Sequence, residues 1–234
     1  MKPKTKKCVH CLEENENVTW DHVFPQSWYP QDKEIHNKWK VPSCFNCNNK
    51  LSIIEKRLQK LFVASIGRDD TEMQGIYEKM IRSMDPTSAK NEKDYKSRLN
   101  ERKRFINSIT FVDKNIEGIF PNLSNFYLYP NQSKLPAVFI HEDDIIAFGT
   151  KIVRGIFYIK NNVYIEENYD VEVLVLEQEA YNELNNIFGN YTEVLEKPGI
   201  KIELYQAYDD ISSIIKIRIW NKIFLVGTVL LKEN

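Results

Sequence analysis

No cysteine occurs beyond residue 47, and the 234 residues hold only four: Cys8, Cys11, Cys44 and Cys47. That count and clustering exclude a disulfide scaffold, which needs cysteines spread along a short secreted chain. No apolar run approaches the ~20 residues that cross a bilayer. The opening Met-Lys-Pro-Lys-Thr-Lys-Lys lacks the apolar core of a signal peptide. A cytoplasmic chain with no membrane contact is therefore expected. No segment repeats and none is of low complexity. Net charge is scarce as well, since 32 Lys and Arg stand against 33 Asp and Glu.

Apolar residues are plentiful. They make up 42% of the chain, with 12% aromatic, which is enough for a core and excludes wholesale disorder. The near-zero net charge hides an asymmetry. Residues 1–104 hold 21 Lys and Arg against 15 Asp and Glu, and residues 105–234 hold 11 against 18. A basic front half is what binding to a polyanion requires.

The cysteines form two Cys-x-x-Cys pairs, Cys8-Val-His-Cys11 and Cys44-Phe-Asn-Cys47. Spacing of this kind lets a tight turn aim two thiolates at one ion, and two such turns complete a tetrahedral Cys₄ site of the structural zinc type. Free thiols or a redox pair are the alternative. Four thiolates leave no open coordination position, so chemistry must come from other residues.

Between the pairs lies Thr19-Trp20-Asp21-His22-Val23-Phe24-Pro25, and Asn48-Asn49-Lys50-Leu51 follows the last cysteine. Cys-x-x-Cys, Asp-His-x-x-Pro and Cys-x-x-Cys-Asn-x-x-Leu in this order resemble the zinc-finger branch of the HNH endonucleases. The resemblance covers about residues 8–52. It implies a β-hairpin followed by a helix that together clasp one catalytic divalent ion, and a nucleic-acid substrate, most often DNA.

The residue chemistry suits that role. His22 titrates near neutrality and can take a proton from water as a general base. Asp21 is a hard oxygen ligand for Mg²⁺ or Mn²⁺. The resemblance makes Asn48 the second ligand of that ion. On a strand, Asp21 and His22 point to opposite faces, which separates metal binding from water activation. Taken by itself, His22 could equally be a hydrogen-bonded structural residue. One position departs from the family pattern. The middle Asn, five residues before the third cysteine, is here Trp39. Asn37 and His36 are the nearby substitutes, and Trp39 would otherwise pack under the hairpin. Lys50 could reach a phosphate, or could equally be an exposed lysine near a helix start with no role.

The rest of the chain reads as an α+β body. Leu51, Ile54, Leu58, Leu61 and Ile66 recur at helical spacing. Residues 69–110 are charged and helical in pattern, broken at Asp85-Pro86-Thr87-Ser88. Residues 121–136, with three prolines, read as a connector. His141-Glu142-Asp143-Asp144 reads as a helix start before the apolar stretch Ile145 to Ile159, where Gly155 costs ~1 kcal/mol relative to Ala and implies close packing. Strands are expected at Val163–Ile165, Val171–Leu176, Ile200–Tyr205, Ile214–Trp220 and Ile223–Leu231. The organisation expected is a nuclease finger over 1–55, a basic helical segment over 56–120 and an α+β domain over 121–234. Nucleic acid should lie on the Lys- and Arg-rich helices of residues 56–104. A protein partner or a second copy should lie on the acidic C-terminal half.

Overall fold

A computed structural model describes residues 6–31, 34–66, 71–113, 134–188, 193–207 and 211–232. The first cysteine pair occupies the tip between β1 (Lys6–Lys7) and β2 (Glu14–Asn15), which pair antiparallel. β3 (Val18–His22) and β4 (Lys40–Cys44) form a second antiparallel pair, with Val18 opposite Cys44 and His22 opposite Lys40.

α1 (Phe45–Ile66) begins directly after Cys44. The sequence periodicity starts it at Leu51. The first turn and a half, Phe-Asn-Cys-Asn-Asn-Lys, offers no inward-facing aliphatic and is invisible to a periodicity argument. Beyond it, Leu51, Ile54, Leu58, Leu61 and Ile66 are all buried, as their spacing requires. The helix runs unbroken through residue 55, where a domain boundary was expected.

α2 (Ile76–Met84) and α3 (Glu92–Asn107) follow. Asp85 makes the break between them, its carboxylate accepting from the Thr87 amide at 3.0 Å. Asn91 caps α3 by accepting from the Asp94 amide at 2.9 Å. α3 buries none of its side chains, which agrees with its density of charge. β5 (Ile109–Asp113) pairs antiparallel with β6 (Lys134–Val138). Most of the expected connector lies outside the described residues, but Pro136 is in β6, opposite Phe111.

α4 (Glu142–Asn161) carries Glu142, Asp143 and Asp144 in its first turn, where the positive end of the helix dipole favours acids. A five-stranded antiparallel sheet completes the fold. It comprises β7 (Tyr169–Leu176), β8 (Glu193–Lys197), β9 (Ile200–Gln206), β10 (Ser213–Ile219) and β11 (Ile223–Leu231), in the order β7-β11-β10-β9-β8. β8 and α5 (Gln178–Phe188) were not expected. The expected strand at Val163–Ile165 is not formed: these residues lie outside any helix or strand, with Ile165 buried.

The β10–β11 turn uses no glycine. Trp220 and Asn221 both adopt left-handed backbone, φ 49° and 54°. That conformation disfavours a bulky residue. Trp220 is held in it from outside the turn, since its Nε1 donates to the Trp28 carbonyl at 3.0 Å and its ring stacks on Trp28 at 5.0 Å.

One hydrophobic core joins Val23, Trp28 and Val41 of the hairpin region to Leu58 of α1, Phe148, Ile152 and Ile156 of α4, and Ile202, Ile217 and Leu225 of the sheet. The expected close packing at Gly155 is present: a Cβ there would lie 2.6 Å from Val23 Cγ2. Among the described residues no helix is long and apolar enough to cross a membrane.

Candidate metal centre and the Asp21–His22 strand

The sulfurs of Cys8, Cys11, Cys44 and Cys47 lie within 4.8 Å of one another. Leu12, with left-handed φ of 64°, folds the first pair back, and its amide donates to the Cys8 carbonyl at 2.9 Å. The second pair bridges the end of β4 and the first turn of α1. Cys11 Sγ and Cys44 Sγ are 3.8 Å apart. Zinc–sulfur bonds of ~2.3 Å at tetrahedral angles require sulfurs ~3.8 Å apart. Amides of Cys44 and Cys47 donate to the sulfurs of Cys8 and Cys44 at 3.3 and 3.4 Å. Such donors favour thiolates. Burial pushes the Cys8 thiol up, but amides of Cys11, Cys44 and His10 outweigh it and leave it below the usual range. Burial pushes Cys11 up to about 11, and Cys47 is also raised by burial and by the neighbouring sulfurs. Sulfurs this crowded can ionise together only beside a cation. The cluster could hold a metal ion such as zinc.

Asp21 is buried on the face of β3 that looks toward α1 and α4. The ammonium of Lys151, fully buried in α4, lies 3.0 Å from Asp21 Oδ2. Nε2 of His10 lies 3.4 Å from the same oxygen. Neither contact has hydrogen-bond alignment, so the charge of the Lys151 ammonium is what compensates that oxygen. Lys151 also donates to Glu55 of α1. Burial pushes Asp21 up, but His10 and Lys151 outweigh it and hold the carboxyl below its usual range. Burial dominates at Glu55, which is raised despite Lys151. Burial lowers His10, against the pull of Asp21, and favours its neutral imidazole.

His22 points to the other face and is half-buried. Its Nδ1 is enclosed, with no hydrogen-bond partner among the described residues. Burial, then Lys40 and Lys38, lower its pKa, which keeps the ring neutral and able to accept a proton near pH 7. Nδ2 of Asn48 donates to Thr19 Oγ1 at 2.8 Å. No hydrogen bond joins Asn48 to Asp21 among the described residues.

An ion bound ~2.1 Å from Asp21 Oδ2 would meet the Lys151 ammonium beside that oxygen, and the like charges would repel. The side chains as placed do not fit a divalent ion at Asp21.

Trp39 packs into the core, and its carbonyl accepts from the Val23 amide at 3.0 Å. Neither substitute braces His22. His36 is exposed beside Glu34 at 3.6 Å, and Asn37 adopts left-handed φ of 51°. Lys50 is exposed. His141 precedes α4 without capping it, and its ring meets Phe139 edge-on at 5.0 Å. Sequence reasoning missed Lys151 and Glu55. The available signal was a lone lysine inside the apolar stretch from Ile145 to Ile159. Comparison with family models, curated proteins and solved structures finds no match to this chain.

Proposed function

We propose that this chain is an HNH-type endonuclease that hydrolyses phosphodiester bonds of DNA, with zinc as a structural ion on the four cysteines. The observation that carries the reading is the placement of His22: half-buried on β3, opposite Lys40 on the neighbouring strand, with its pKa lowered by burial and by Lys40 and Lys38. A neutral imidazole takes a proton from water, the hydroxide attacks phosphorus and the 3′ oxygen leaves as the alcohol after protonation by solvent. Lys40 and Lys38, whose charges reach His22, are placed to offset the charge that develops on the phosphate.

A specific contact favours a second reading, binding of nucleic acid without cleavage. Lys151 neutralises Asp21 on the side where the resemblance requires a divalent ion. Supercoiled plasmid incubated with wild type and His22→Ala, with Mg²⁺, Mn²⁺ or EDTA, separates the two. The nuclease reading expects nicking by wild type and a loss of ~10²–10⁴-fold in the variant. Plasmid that is bound and never cut establishes the second reading.

A further inference from the structure

An open groove of about 810 Å³ lies beside the hairpin. Four lysines from three separate segments line it: Lys38 just before β4 and Lys40 at its start, Lys160 in the last turn of α4, and Lys197 at the end of β8. The half-buried Tyr158 and the edge of the largely buried Trp39 also line it. Lys160 is paired with Glu193 at 2.9 Å. Lys197 donates to the His36 carbonyl at 3.1 Å and lies over the Trp39 ring at 6.0 Å. Among the described residues no carboxylate is within ion-pair distance of Lys38, Lys40 or Lys197.

The exposed helix α3 is different. There Lys96, Arg98 and Arg104 are matched by Glu92, Asp94 and Glu101 of the same helix. Lys93, Arg102 and Lys103 of α3 have no carboxylate within ion-pair distance among the described residues, but they stand on an exposed helix interleaved with those acids. Unpaired positive charge gathered in a concave site attracts a polyanion more strongly than the same charge spread on such a helix.

We propose that this groove binds the phosphate backbone of the nucleic acid and leads it to His22, which faces Lys40 across the hairpin. The proposal rests on the reading of the chain as acting on nucleic acid. It moves the binding surface from residues 56–104 to a site shared by both halves of the chain. Lys160 and Lys197 belong to the acidic half, so the charge of that half does not describe the surface it presents. Each unpaired lysine that neutralises a phosphate releases a counterion, at about 0.9 of log–log slope per contact, so loss of three should flatten the salt dependence of binding by about 3 units.

Binding of a fluorescein-labelled DNA duplex, followed by anisotropy across a range of NaCl concentrations, tests this. The variant Lys38→Glu/Lys40→Glu/Lys197→Glu should bind about tenfold more weakly or worse, with the flatter slope. Lys93→Glu/Arg102→Glu/Lys103→Glu on α3 should stay within about twofold of wild type. His22→Ala should bind as wild type does. Normal binding by the groove variant, or an equal loss in the α3 variant, overturns the proposal. Calorimetry with inorganic tripolyphosphate separates its failure from that of the nuclease reading. Tripolyphosphate binding that the groove variant loses, with no affinity for DNA, keeps the polyanion groove and removes the nuclease. DNA cleavage by wild type with normal DNA binding by the groove variant does the reverse. No binding of either probe removes both.

Discussion

Lys151 Nζ lies 3.0 Å from Asp21 Oδ2, and neither side chain is open to solvent. The contact ties α4 to the strand that precedes His22, and Glu55 shares the same ammonium. One cation thus faces two carboxylates, and their pKa values are driven apart.

The two carboxylates should act on stability in opposite directions. Asp21 is held below the ordinary 3.8 of an aspartate, so its contribution is full above that pH and is lost as pH falls through its folded value. Glu55 is raised above 4.5, so its contribution is full below that pH and is lost as pH rises through its folded value. Glu55→Gln should remove the decline above about pH 4.5 and leave the acid limb unchanged. Urea midpoints from pH 3 to 7 measure this. A variant with the wild-type slope above pH 4.5 would refute the assignment.

Cys44→Ser should abolish tightly held zinc, expected at one ion per chain by elemental analysis. Structural zinc in finger peptides contributes on the order of 10 kcal/mol, which is comparable with the whole stability of a domain. The hairpin region shares one core with α1, α4 and the sheet. Zinc removal by a chelator should therefore lower a single thermal transition. Two separate transitions would show that residues 1–55 fold as an independent finger.

Gly155→Ala should destabilise the protein by about 1–3 kcal/mol. Alanine gains ~1 kcal/mol of helix propensity, but overpacking typically costs more, and the new Cβ would lie 2.6 Å from Val23 Cγ2. Val23→Ala alone should also destabilise. Combined with Gly155→Ala it should cost less than the sum, a positive coupling readable in a double-mutant cycle. Simple additivity would mean that α4 does not seat on Val23.

Asn221→Gly should be neutral or stabilising by up to about 1 kcal/mol, because glycine adopts the left-handed region without steric cost. Trp220→Gly relieves the same conformation yet should cost about 3–5 kcal/mol, since it deletes the ring stacked on Trp28. Denaturant titrations compare the two. A mild effect at Trp220 would show that its ring does not hold the turn to the core.

Features that depend on neighbours a few residues apart were legible in the sequence. The Cys-x-x-Cys pairs turn on themselves and bring their sulfurs together. Leu51 to Ile66 repeats at helical spacing and buries that stripe. The acids at 142–144 begin a helix, and the β-branched runs after residue 199 make strands. The polar first turn of α1 and the mixed composition of β8 carry no such periodic signal. The candidate site was legible only as a set of residue types. That Asp21 would be met by Lys151, that Glu55 would share that lysine, and that Lys38 and Lys40 would be joined by Lys160 and Lys197 depended on how α4 and the sheet seat against the hairpin. Spacing rules reach a few residues along the chain. The Trp220–Trp28 contact spans 192 residues, and such pairings are set by which apolar faces bury one another, with Gly155 allowing α4 to approach Val23, the residue after His22.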